Sequence, residues 1–170
     1  MTDGRTASWG EVEAEAPELM AAVRGCFTVR KHCTMATLRR DGAPRISGTE
    51  VQLEDGQLWT GSMLGALKAK DLQRDGRVAL HSPTVDPPEG DESSWAGEAK
   101  VAGIAVEVPH GSAPVLPSHR FRIDLLEVVH TRVDGDALLI TSWHAGAGSR
   151  RDGGPDRAPL ASGEWPSTQW

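Results

Sequence analysis

The chain lacks tyrosine and asparagine altogether, and its 170 residues hold only four lysines, two cysteines and two phenylalanines. The missing tyrosine removes the phenolic hydroxyl from the available proton donors. Cys26 and Cys33, with six residues between them, fit no zinc spacing and are expected as free, buried thiols in a reducing compartment. No stretch approaches the eighteen or so consecutive apolar residues of a membrane span, and the N-terminus carries no apolar signal core. A cytoplasmic protein is therefore expected. A net charge of −6 disfavours nucleic acid as the main partner, because phosphate-backbone binding needs a basic face. Also missing are a nucleophile elbow, a Walker loop, the dinucleotide glycine fingerprint and a histidine–glutamate zinc motif. The six histidines are scattered, no two at metal-ligand spacing on one element, so no metal site is expected. No pair of carboxylates suggests acid–base work. Catalytic residues thus stay unassigned, and an enzyme of this sequence must draw its reactivity from a cofactor.

What is present describes one small domain over residues 1–145, followed by a tail over 146–170. The tail is glycine, proline, arginine and acid, with Trp165 and Trp170 its only aromatic groups. It is expected to be disordered unless a partner orders it. Ser8 and Glu11 have the spacing of a capping box. Val12, Ala16, Leu19, Val23 and Phe27 then recur at helical intervals, which predicts a short turn and a main helix from Pro17 to Phe27. From Cys33 the period falls to two. Thr34–Leu38, Pro44–Leu53 and Gln57–Thr60 alternate and are joined by Asp41-Gly42 and Asp55-Gly56, the signature of an antiparallel meander, with Gly48 as a candidate bulge. A short helix over about Gly65–Arg74 and a strand from Arg77 follow. Residues 83–94 and 110–118 read as loops. Glu98–Val108, Arg120–Val133 with an irregularity near Leu126, and Asp136–Trp143 complete the strands. The expected fold class is mainly β: a small closed barrel of about six antiparallel strands with an N-terminal helix and one short crossing helix.

Three places suit an anionic aromatic cofactor. In the first, Ser62 to Lys70, a small-residue turn containing Met63 runs into a helix start bearing two of the four lysines, Lys68 and Lys70. A hydroxyl, cations and free backbone N–H groups make a seat for a phosphate, or else a solvated basic helix end. The second is Arg45 with Ser47 on the second strand, able to meet the same phosphate if they face the lysines. The third is Trp143 with Arg150, where the indole either stacks on a flat ring or closes the barrel.

The run MATLRRDGAPRISGTEVQLEDGQLWTGSMLGALKAKDLQRDGRVALHS resembles the flavin-binding split β-barrel of the pyridoxamine 5′-phosphate oxidase-like family. FRIDLLEVVHTRVDGDALLITSW is similar to that family's last hairpin. The resemblance implies FMN, or alternatively a deazaflavin coenzyme, with Lys68, Ser62, Lys70 and Arg45 at the phosphate. It also implies a role for Trp143 and Arg150, hydride transfer to or from a small organic substrate, and a homodimer. Where the family tends to carry serine and arginine this chain has Ala66 and Leu67, removing a hydroxyl and a fork-shaped cation. A charge-assisted contact is worth about 1.5–3 kcal/mol, so its loss weakens phosphate binding by roughly one to two powers of ten. A non-catalytic module holding a cofactor or a heme-like ring is the competing class.

Overall fold

The structure, a computed structural model, describes residues 5–110, 117–135 and 137–152. The N-terminal segment is two helices rather than a turn and a helix: α1 (Trp9–Glu15) and α2 (Pro17–Thr28). The capping box forms as expected, with the Glu11 amide donating to Ser8 Oγ at 3.2 Å and the Ser8 amide to Glu11 Oε2 at 2.7 Å. The stripe Val12, Ala16, Leu19, Val23 and Phe27 is buried.

The strands are β1 (His32–Leu38), β2 (Pro44–Glu54), β3 (Gln57–Met63), β4 (Arg77–His81), β5 (Glu98–Glu107), β6 (Ser118–Asp134), β7 (Ala137–His144) and β8 (Gly148–Asp152). One helix, α3 (Leu67–Arg74), crosses between β3 and β4. All pairings are antiparallel, in the order β3-β2-β1-β4-β5-β6, and β3 also pairs with β6 to close a six-strand barrel. Both Asp-Gly hairpins form where alternation and turn residues place them. At the second, Asp55 (φ 51°) and Gly56 (φ 67°) both take the left-handed region, as a two-residue turn matching strand twist requires.

The long β6 explains why the barrel is split. Its first half closes against β3 and its second half pairs with β7 instead. The handover falls at Leu126, where the register against β5 jumps from Ala102↔Glu127 to Gly103↔Leu125. The irregularity near Leu126 is therefore a real bulge. Gly48 is not one, because Cys33↔Thr49, Thr34↔Gly48 and Met35↔Ser47 run without a break. A second departure is β8, which pairs with β7 inside what composition assigns to the tail. It forms from backbone hydrogen bonds along an open strand edge, a demand indifferent to side-chain composition. The tail beyond residue 152 lies outside the described residues, as do 111–116 of the loop before β6.

Gly103 shows how tightly the bulge is built. A Cβ there would overlap the carbonyl of Asp124 on β6, whereas one at Gly25 in α2 meets nothing within 4 Å. Gly103→Ala is expected to cost about 1–3 kcal/mol by forcing backbone apart. Gly25→Ala should stabilise by roughly 0.5–1 kcal/mol through helix propensity. Urea denaturation of the two variants checks both signs.

No helix among the described residues is long and apolar enough to cross a membrane.

Candidate functional site

Alternation along β2 turns Arg45, Ser47 and Thr49 toward the barrel and leaves Ile46, Gly48 and Glu50 exposed. On the neighbouring β3, Thr60 and Ser62 face inward. With Thr37 of β1 they give the wall beneath α3 a polar lining. Thr37, Thr49, Thr60 and Ser62 are all buried. Most are satisfied internally: Thr49 and Thr60 hydroxyls lie 2.8 Å apart, and Thr60 donates to the Glu50 carbonyl at 3.0 Å. Ser62 Oγ is the exception, buried with no hydrogen-bond partner among the described residues.

Arg45 is drawn away from any ligand by a residue that the sequence left unremarked. Asp71 of α3, 3% exposed, accepts from Arg45 Nε at 2.6 Å, from Thr37 Oγ1 at 3.0 Å and from Arg74 at 3.3 Å. Burial alone would raise its carboxyl; the donors of Arg45, Thr37 and Arg74 outweigh that and hold it below the ordinary carboxylate range. Arg74 also reaches the Leu38 carbonyl. The cluster pins α3 across the mouth of β1 and β2.

Lys68 behaves differently. Its Nζ donates to the Gly48 carbonyl at 2.7 Å, and among the described residues it has no carboxylate partner. Burial pushes the ammonium below the usual lysine range, and the neighbouring Cys33 opposes it more weakly. That thiol is itself lifted to about 11 by burial, and burial raises Cys26 as well, so both are protonated structural thiols. The helix start beside Lys68 is uncapped: its N-cap, Ala66, contributes no side-chain hydrogen bond. Leu67, Lys68 and Ala69 therefore present backbone N–H groups that the helix cannot use. Lys70 is exposed one turn on. Around this corner Ile46 (76% exposed), Met63 (79%), Leu64 (58%) and Leu67 (57%) form an apolar collar.

The structure thus brings Ser62, Met63, Lys68 and Lys70 to one end of β3 and α3, with Arg45 and half-buried Ser47 on the adjoining strand. Trp143 and Arg150 lie elsewhere in the chain. Trp143 is 2% exposed in the core of β7, paired with Val128, and Arg150 is on β8 opposite Ser142. Val128 is nine residues along β6 from His119, the partner of Ser62, which is roughly 30 Å of strand. The indole instead lines a separate cavity of about 410 Å³ with Arg5 and Glu11.

No family model matches the sequence, and no curated protein does. A pyridoxamine 5′-phosphate oxidase-related, FMN-binding protein from Nostoc punctiforme superimposes with a TM-score of 0.59 at 13% identity, over 86% of this chain and 98% of its own. PhzG from Burkholderia lata, solved with tetrahydrophenazine-1-carboxylic acid, gives 0.57 at 11% identity over 88% and 92%. A heme-binding protein from Mycobacterium smegmatis gives 0.51 at 16% identity over 82% of this chain and 59% of its own. The chain likewise spans only 53% of a protein of unknown function from Agrobacterium tumefaciens. This protein has the split β-barrel fold of the pyridoxamine 5′-phosphate oxidase-like proteins. At these identities it shares their backbone plan and not their residues.

Proposed function

We propose that this chain binds FMN by its phosphate at the start of α3 and serves as a flavin-dependent oxidoreductase for a small organic substrate. One observation carries the reading: Lys68, half-buried and without a counter-ion, sits at an uncapped helix start beside an unpartnered Ser62 hydroxyl. Each of these donors lacks an acceptor of the kind that a phosphate supplies. Lys68, the first α3 amides and Ser62 would hold the phosphate, while Met63, Leu64 and Leu67 would flank the flat ring. The flavin would supply two-electron chemistry, which no side chain here provides. Arg45 enters this reading as support for α3, its charge being taken by Asp71.

The same apolar collar suits a second copy of the chain, and we propose a homodimer in which the partner covers the site. The free thiols of Cys26 and Cys33 suit the reducing cytoplasm. A deazaflavin coenzyme is the second reading, favoured by the exposed Lys70 as a contact for a longer acidic tail. Titrating the protein with FMN, a deazaflavin coenzyme and riboflavin decides among them. The expected result is FMN fluorescence quenching at low micromolar concentration, with riboflavin at least tenfold weaker. Saturation by riboflavin at equal affinity would remove the phosphate seat, and silence toward all three would remove the flavin reading.

A further inference from the structure

A cavity of about 730 Å³ opens where α1 passes into α2, over the second half of β6 and over β7. Leu19, Ala22 and Leu139 give it apolar walls. His130 lies on its floor, 7% exposed, directly across from Thr141 in the β6–β7 register. The ring's Nε2 is 2.9 Å from the Ala96 carbonyl, which can only accept, so Nε2 carries the proton. Nδ1 keeps its lone pair and has no hydrogen-bond partner among the described residues. At the rim, Glu15 ends α1, where helix carbonyls repel an acid and no basic residue stands in the last turn. Glu13, two residues earlier, pairs with Arg24 at 2.8 Å; Glu15 has no such partner among the described residues. Its Oε1 instead lies 3.1 Å from where a Cβ of Gly148 would stand, on β8. Two strand spacings, roughly 10 Å, separate β8 from β6. Glu18 also lines the cavity, but it answers to the N-terminus of α2, whose first turn it occupies. Arg132, the one cation among the described lining residues, is turned to the Val133 carbonyl at 3.4 Å and the Asp134 carboxylate at 3.9 Å.

We propose that this cavity binds a short aliphatic diamine. One ammonium donates to His130 Nδ1, with the Thr141 hydroxyl as a second acceptor, and the other ammonium pairs with Glu15. The methylene chain lies along Leu19, Ala22 and Leu139. The unmet groups at the two ends are both acceptors, which selects a donor at each. An anion would meet carboxylates at the rim and a lone pair at the floor, and is disfavoured at both. A separation of roughly 10 Å, with a hydrogen bond at each end, suits a chain of about four or five carbons. A monoamine can satisfy one end only. The cavity lies past the bulge at Leu126, away from Ser62 and Lys68, so the proposal does not rest on the flavin reading.

The test is calorimetric titration of the full chain with 1,4-diaminobutane, 1-aminobutane and butanoate, in wild type, Glu15→Gln and His130→Gln. The diamine is expected to saturate wild type below millimolar concentration, with 1-aminobutane at least tenfold weaker and butanoate silent. Glu15→Gln should lower diamine affinity at least tenfold and leave 1-aminobutane within threefold of wild type. It should also melt at or above the wild-type temperature, since it removes an acid from the wrong end of a helix. His130→Gln should weaken both amines. In ¹⁵N-histidine spectra, the Nδ1 resonance that is missing from His130→Gln should move when the diamine is added to wild type and stay in place with butanoate. Butanoate binding as tightly as the diamine, a diamine affinity unchanged in Glu15→Gln, or an unmoved Nδ1 resonance would each overturn the proposal. So would a wild type that the diamine does not saturate. If His130→Gln fails to fold, the Glu15→Gln titrations decide the matter.

Discussion

Asp71→Asn is expected to destabilise the protein by about 3–5 kcal/mol, the range for removing one partner of a buried ion pair. For a chain of this size that lowers the melting temperature by about 6–20 °C. The side chain of Asp71 is 5% exposed and that of Arg45 19%, so the guanidinium left behind cannot turn to water. An amide at position 71 also brings its own N–H group against the donors of Thr37, Arg45 and Arg74. The Asp71 carboxyl is held below its unfolded value, so its contribution is fully present above the unfolded value and is lost as pH falls through the folded one. The gap between wild type and variant should therefore narrow in acid. Replacing both charges, as Arg45→Met with Asp71→Leu, is expected to recover most of the loss, because the remaining cation, Arg74, is one-third exposed and keeps the Leu38 carbonyl. Thermal denaturation of the single and double variants at two pH values tests the account. A single variant within 1 kcal/mol of wild type would mean that water reaches the cluster.

That cluster marks the limit of what the sequence discloses. Turns, strand alternation and the helical stripe depend on neighbours within a few residues, and all were legible there. So was the basic helix start, since Ser62, Lys68 and Lys70 fall within nine residues. Asp71 was not, because its partners Thr37 and Arg45 are 34 and 26 residues away on other elements. A signal did exist: Asp71 lies between the buried Ala69 and Leu72, on the flank that a solvated acid avoids. The barrel-facing phase of Arg45 follows from its alternation with Ser47 and Thr49. An acid on the covered side of a helix and an inward arginine ask for each other. Glu15 and His130 border one cavity only once α1 and β6 pack together, which no local pattern reveals. Trp143 was ambiguous for a different reason. An indole at a strand end serves core or ligand equally well, and burial alone separates the two.

Lys68→Met is expected to move stability and binding in opposite directions. The ammonium is half-buried against a carbonyl, and burial lowers its pKa, so the folded state bears a cost for keeping it charged below that folded value. Methionine keeps most of the apolar stem and removes the charge, and the exposed Gly48 carbonyl can turn to water instead. The variant should melt at or above the wild-type temperature. Its affinity for FMN should fall by at least tenfold, since a charge-assisted contact is worth about 1.5–3 kcal/mol. Affinity for riboflavin, which has no phosphate, should hardly change. Wild-type affinity should also decline on the alkaline side as Lys68 gives up its proton, and that decline should be absent from the variant. A residue kept at the expense of stability is explained by what it binds. Calorimetry with FMN and riboflavin, set beside melting curves, measures each part. Equal FMN affinity in the two proteins would mean that the charge at position 68 answers to something other than a phosphate.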